Sequence, residues 1–304
     1  GGFRPTGEYI QLNSYENRVF EIFLEEAGNG VTRLITKFYR PHRWSKEAIQ
    51  EEHDFLEELK INDISVVAPM RFNRESVFDF NGLWGCVFPK AYGRMPQEFF
   101  LDELEQVGGL LARLHNVGIQ KSARYRPRLF DADYCESMVM ELKDWVAPEV
   151  YGRYQKACHE IIDCLSDRLE GISLQRIHGD CHRGNILMND PPPGSEFRKE
   201  LFFVDFDDFV EGPIIQDFWM LLSSQTDFQE ELDALINGYE RFREFPDEQV
   251  ALVSPLRGLR IFKYAYWIAS RWQDPTFVKL FPDFKEYIYW AEEVEALESI
   301  AWSL

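Results

Sequence analysis

The stretch 176-RIHGDCHRGNILMN-189 gathers two histidines, an aspartate, two glycines and an asparagine into eight positions before an aliphatic tail begins. A second stretch, 201-LFFVDFDD-208, also joins a short apolar run to acidic residues. Between ILMN and LFFV lies NDPPPGSEFRKE, polar and rich in turn formers, so the simplest expectation is an antiparallel hairpin. In such a ladder paired positions sum to a constant. Pairing Ile186 with Val204 would bring Asn185 beside Asp205 at the open end.

That juxtaposition has a chemical meaning. Asn185 offers a neutral oxygen and Asp205 a carboxylate, both hard ligands suited to Mg²⁺, which takes its remaining ligands from water and substrate phosphates. Asp180 sits five residues before Asn185 in a glycine-containing loop, near the metal without having to bind it. A loop carboxylate, then an asparagine, then a carboxylate on the next strand is the order used in kinase-type phosphoryl transfer. There the first accepts the proton of the acceptor hydroxyl and the other two hold Mg²⁺ on the nucleotide phosphates.

Bulk properties narrow the field. The chain has 304 residues, 45% of them hydrophobic, enough for two lobes with a buried core. No apolar run is long enough to span a bilayer, so no membrane is expected as partner. The start GGFRPTGEYIQ lacks a charged n-region followed by an apolar h-region, so no signal peptide is expected. The five cysteines form no CxxC pair, which suits free thiols and a cytoplasmic location. A net charge of −19 argues against nucleic acid and favours acceptors carrying nearby positive charge.

Along the chain, NRVFEIFLEE and VTRLITKFY flank AGNG and read as one hairpin. SVFDF and LWGCVF flank Asn81-Gly82 and read as another. Between them, Ala48, Ile49, Phe55, Leu56 and Leu59 share one helical face, with Ser45 as N-cap. From residue 98 onward the pattern is helical, with a second helix expected over about 150–170. The composition changes near CVFPKAYGR. The expected class is therefore α+β: a β-rich lobe over 1–88 and a larger helical lobe over 89–304.

HGDCHRGN resembles the HGDxHxxN catalytic loop of the aminoglycoside phosphotransferase and choline kinase-like superfamily, and VDFDD resembles its metal-binding strand end. Together with LNSYENRVF, KFYRPHRW, EEHDF, VFP, LARLH and GPIIQDFWMLL, they make residues 11–290 similar to the stress response kinase A group, the RdoA-like protein kinases. The resemblance implies a protein-kinase-like bilobal fold with ATP in the cleft and Mg²⁺ as cofactor. It implies Asp180 as proton acceptor, Asn185 and Asp205 as metal ligands, and Lys37 on the nucleotide phosphates. The partner of Lys37 should be an inward-facing glutamate. Periodicity selects Glu52, with Phe55, Leu56 and Leu59 at +3, +4 and +7, over Glu51, which points about 100° away. Ser14 lies in the turn that should cover the phosphates, and Val87 and Phe88 should line the adenine slot. The turn NSYEN has no glycine, and the side chains of Ser14 and Asn17 stand in for one.

Plainer readings compete. His178, Asp180 and His182 could form an H-x-D-x-H zinc site, but no further histidine lies nearby, and structural roles for both rings fit better. Asp207 and Asp208 either add to the metal's electrostatics or cap the next segment. Asp217 is expected to brace the catalytic loop, His115 to sit in the core, and the aromatic stripe at 262–272 to be core, with part of it available to an acceptor groove. The expected activity is ATP- and Mg²⁺-dependent phosphotransfer to a protein Ser or Thr. A small-molecule hydroxyl, as on an amino alcohol or aminoglycoside, is the alternative acceptor. A nucleotide-binding pseudokinase scaffold is the alternative class.

Overall fold

The computed structural model describes residues 3–12, 14–25, 31–189, 200–223 and 228–304. The AGNG turn, Asn13 and most of the proline-rich loop lie outside the described residues. By contact density the chain forms two compact units, Gly1–Pro127 with Gln175–Phe245, and Arg128–Leu174 with Pro246–Leu304.

The first unit is built on an antiparallel sheet. Its strands are β1 (Pro5–Leu12), β2 (Arg18–Leu24), β3 (Arg33–Phe38), β4 (Phe78–Asp79) and β5 (Trp84–Pro89), in the order β1-β2-β3-β5-β4. β1 is an almost wholly exposed edge strand with no buried face, so its sequence carries no alternation to read. The β4–β5 turn forms at Asn81-Gly82, where both residues have positive φ (57° and 88°), as this tight hairpin requires. Helix α1 (Lys46–Ile61) begins where the Ser45 hydroxyl accepts the Ala48 N–H at 3.2 Å. It buries Ile49, Phe55, Leu56 and Leu59. Ile49 joins Tyr39, Val77 and Cys86 in a core cluster flanked by Trp44, Trp84 and Phe88.

The same unit holds α2 (Leu101–Gly118) and α6 (Phe228–Tyr239), which cross closely. A Cβ at Gly108 would lie 2.0 Å from the Leu235 carbonyl, and one at Gly238 would lie 1.9 Å from that of Glu105, so each helix needs glycine at the crossing. Two small ladders complete it: β6 (Gln175–Ile177) with β9 (Val210–Gly212), and β7 (Ile186–Asn189) with β8 (Glu200–Phe203).

The β7–β8 hairpin is present, but its register differs by one from the expected pairing. Ile186 faces Phe203 and Met188 faces Leu201, and Val204 N–H donates to the Asn185 carbonyl at 2.9 Å. All four of those paired side chains are buried. Pairing Ile186 with Val204 would have set buried residues opposite half-buried ones, and matching of faces fixes register wherever one face is covered.

The second unit is helical: α3 (Ala132–Glu141), α4 (Pro148–Leu169), α7 (Val253–Ser270), α8 (Pro275–Leu280) and α9 (Tyr287–Ala301). α4 covers the helix expected at 150–170, whereas α3 buries only Cys135, Met138 and Val139 and had no marked periodicity. The interior is aromatic. Trp290 is fully buried, with Tyr154 at 5.8 Å and Phe284 at 5.1 Å between ring centroids. Phe262 is core, while Trp267 and Trp272 are half-buried. The chain is thus α+β, with its main sheet in the N-terminal part and helices dominating the C-terminal part.

Candidate active site

The residues assigned from the sequence to catalysis, nucleotide, metal or loop support lie in the first compact unit, whereas the aromatic stripe at 262–272 lies in the second. Lys37 projects from β3, where it pairs with Val19 on one side and Cys86 on the other. Its ammonium is buried and stands 3.1 Å from Asp207, 3.2 Å from Asp205 and 3.7 Å from Glu52. Glu52 points inward from α1, as the periodicity indicated, and is 1% exposed. Glu51 points elsewhere and accepts the backbone N–H groups of Arg124 and Tyr125.

Burial works to lower the Lys37 pKa, but the carboxylates of Asp207, Glu52 and Asp205 outweigh it and hold the amine well above its usual value. Glu52 is raised as well, but by a different cause. Burial raises its carboxyl against the pull of Lys37 and Arg126. Asp207 is buried too, yet Lys37, Arg43 and Arg126 keep it well below the usual carboxylate range. The neighbouring His53 is pushed down to about 3 by burial and by Lys37, so its ring is neutral.

The catalytic-loop candidate is held from below. Asp217, on the short α5 (Gln216–Trp219), accepts the N–H groups of His178 and Gly179, each at 2.8 Å, and lies 3.1 Å from His115 Nε2. Gly179 has φ +83°, and a Cβ there would lie 2.4 Å from the Asp208 carbonyl, so glycine is needed in this turn. His178 Nε2 donates to the Val204 carbonyl at 2.9 Å, and His182 Nδ1 accepts the Gly184 N–H at 2.9 Å. The His182 ring therefore bonds the loop's own backbone, whereas the His178 ring ties the loop to the residue before Asp205. Among the described residues no group of three or more His, Cys, Asp or Glu side chains is placed to hold a metal ion.

Asn185 closes the loop by donating to the Asp180 carbonyl at 2.9 Å and approaching its carboxylate at 3.4 Å. Asp205 follows β8 in the left-handed region (φ 57°, ψ 68°), with its side chain half exposed. A non-glycine residue in that conformation is uncommon and turns the carboxylate out of the ladder. Asn185 and Asp205 supply one amide oxygen and one carboxylate, a donor set that fits a hard cation sharing its shell with phosphates.

The 14–17 turn has an unforeseen anchor. Asn17 is buried, donates to Asp207 at 3.1 Å and accepts the Arg40 N–H at 3.2 Å, while Ser14 is exposed and its hydroxyl accepts the Asn17 N–H. Val87 and Phe88 stand half-buried on β5 opposite Thr36 and Ile35. Two arginines escaped the sequence reading. Arg43 pairs with Asp207 and Asp208, and Arg126 with Glu52. Nothing local in KFYRPHRW or ARYRPRLF marks either as inward-facing, because their partners lie far along the chain.

A loop carboxylate joined to an asparagine, beside a lysine–glutamate pair and an outward-turned aspartate, defines a kinase-like phosphotransferase. The phosphotransferase enzyme family matches residues 8–251. Stress response kinase A of Escherichia coli (strain K12) is 35% identical over 296 residues, covering 96% of this chain and 86% of that protein. The serine/threonine protein kinase RdoA of Salmonella typhimurium (strain LT2) is 36% identical over 287 residues, covering 93% and 83%. The chain belongs to this phosphotransferase family, in its stress response kinase A group, and is an enzyme. Among solved structures, the amicoumacin kinase hAmiN, in complex with AMP-PNP, Ca²⁺ and Ami, superposes with a TM-score of 0.75 at 18% identity, covering 99% of this chain and 90% of that one. A microcompartment-associated aminopropanol kinase gives 0.66 at 20% identity, covering 97% and 90%. These identities speak for the fold alone.

Proposed function

We propose that this enzyme transfers the γ-phosphate of ATP, with Mg²⁺, to a hydroxyl, and that the acceptor is a protein Ser or Thr. The observation that carries the phosphotransfer reading is the convergence of Lys37, Glu52 and Asp205 within ion-pair reach. The protein acceptor is supported by the name of the Salmonella relative. The net charge of −19 favours basic segments around the acceptor hydroxyl and argues against nucleic acid. We place the enzyme in the cytoplasm. Among the described residues no helix is long and apolar enough to cross a membrane. We assign nucleotide binding to residues 1–88, and the catalytic loop, metal ligands and acceptor groove to 89–304.

In this mechanism Lys37 contacts the nucleotide phosphates and Glu52 aims it. Val87 and Phe88 line the adenine slot. Ser14 faces the phosphates from its exposed turn, which Asn17 secures through its bonds to Asp207 and Arg40. Asn185 and Asp205 hold the metal, which when bound neutralises charge on the phosphate oxygens. Asp180 takes the acceptor's proton, and Asp217, His178 and His182 keep its loop in shape. Asp207 holds Lys37 and the phosphate turn in register.

The test is incubation with γ-labelled ATP and Mg²⁺, with and without a basic test protein. Label on Ser or Thr that vanishes with Asp180→Asn and weakens at raised salt supports the reading. Brisk turnover on a free amino alcohol or aminoglycoside, with none on protein, would assign a small-molecule acceptor. Binding without any turnover would make the chain a scaffold. Asp205→Ala should raise the Mg²⁺ requirement more than Asn185→Ala, because it removes a full charge from beside the cation. An unchanged Mg²⁺ titration for Asp205→Ala would remove both residues from the metal site.

A further inference from the structure

One segment between α2 and α3 ties the two halves of this site together. At one edge it grips α1. The Arg124 and Tyr125 N–H groups donate to the Glu51 carboxylate at 2.6 and 2.7 Å, and Lys121 pairs with Glu58. At the other edge it grips the stretch that follows Asp205. Ala123 N–H donates to the Glu211 side chain at 2.7 Å, and Glu211 N–H donates to the Pro127 carbonyl at 3.1 Å.

Arg126 lies at the centre, its side chain fully buried. Its guanidinium donates in three directions: to the Ala48 carbonyl of α1 at 3.0 Å, to Glu52 at 2.7 Å and to the Asp207 carbonyl at 2.5 Å. The ring planes of Trp44 and Phe209 flank it, 4.1 and 4.8 Å from the guanidinium carbon to each centroid. Five donors in a rigid plane allow one side chain to hold two elements at fixed spacing, which an ammonium cannot do.

We propose that Arg126 is a positioning residue that couples α1 to the metal-bearing turn and so keeps the Lys37–Glu52 pair assembled. The assignment rests on the proposed roles of Lys37, Glu52 and Asp205. In protein kinases the lysine–glutamate pair and the metal-binding aspartate must be in place together, and the position of the glutamate's helix is a point of control. Here the link is built in. Glu52 reaches Lys37 through Oε1 and Arg126 through Oε2. When Lys37 turns to phosphate, Glu52 keeps a buried cation as partner, and α1 keeps its tether to the Asp207 backbone.

The test combines hydrogen exchange with a kinetic cycle. In Arg126→Lys, peptides covering 46–52 and 205–210 should lose protection together, by about tenfold or more in exchange rate, while β2, β3 and β5 stay protected. Arg126→Met should lower kcat by about 10–100-fold, with Arg126→Lys recovering part of the loss. In a Lys37→Met background, Arg126→Met should cost no further turnover, because the arginine acts through the lysine. If Arg126→Met fails to fold, Arg126→Lys carries the cycle. An equal fold loss in both backgrounds, or loosening of 46–52 without 205–210, would overturn the proposal. If the unsubstituted enzyme turns over no ATP, the phosphotransfer reading fails separately, and the exchange experiment alone then decides the coupling.

Discussion

Both compact units bury aromatic rings, but only one of them also buries a set of charged groups. Among the described residues, all of the buried polar and charged side chains except Gln249 lie in the unit that carries the candidate site. There Lys37, Glu52, Arg126, Asp207, His115, His178 and Asp217 are withdrawn from water and paired with one another or with backbone. That unit also buries Phe55, Phe206, Phe209, Phe218 and Tyr239, whereas the helical unit packs Tyr154, Phe262, Phe277, Phe284 and Trp290 without such a charged cluster among the described residues. Taking an ion out of water costs several kcal/mol even after relaxation, and replacing a buried ion pair by apolar groups is often neutral or stabilising. A chain that can close a core with aromatics in one unit has no stability reason to fill the other with ions. If the buried charges serve the proposed phosphotransfer and the aromatic packing serves stability, substitutions should separate the two.

The largest effect is expected at Asp180. Asp180→Asn keeps the shape but cannot take a proton, so kcat should fall by ~10²–10⁴-fold with nucleotide binding and melting temperature little changed. Initial rates, nucleotide titration and a thermal melt check this together. Loss of binding with normal turnover of the bound fraction would break the contrast at its functional end.

Next comes Trp290→Ala, which should cost about 3–5 kcal/mol of stability through the cavity it leaves, while the specific activity of the folded fraction is kept. A urea titration read beside the activity assay decides it. A large activity loss without a shift in midpoint would place function inside the aromatic core.

The smallest effect sharpens the contrast at a carboxyl of the helical unit. Glu293 on α9 is mostly buried. Its Oε1 accepts the Tyr289 hydroxyl at 2.6 Å, and its Oε2 has no hydrogen-bond partner among the described residues. Burial, against that one bond, pushes the carboxyl up to about 7 from an ordinary 4.5. With the folded-state value raised, the folded protein holds the proton more tightly. The contribution to stability is therefore present in full below pH 4.5 and lost as pH rises towards 7. Relative to Glu293→Gln, the unsubstituted protein should lose about 3 kcal/mol across that window. Denaturant titrations at three pH values measure it, and a difference that does not vary with pH would mean the carboxyl is solvated.

By itself the sequence determined whatever depends on neighbours along the chain. The Asn81-Gly82 hairpin, the Ser45 cap, the choice of Glu52 over Glu51 and the order of the loop carboxylate, asparagine and strand-end aspartate were all legible. Each follows from a turn preference, a helical period or a motif spacing. Only the tertiary structure decided the β7–β8 register, which the burial of Met188 against Leu201 fixed one residue away from the expected pairing. It alone revealed the bond from Asn17 to Asp207, between residues 190 apart, and the clasp of Arg126 on Glu52, 74 apart. Periodicity and propensity describe which face of an element is apolar. They carry no information about which distant residue will meet a polar group on that face, because that partner is chosen when burial leaves each charge no other place to be neutralised.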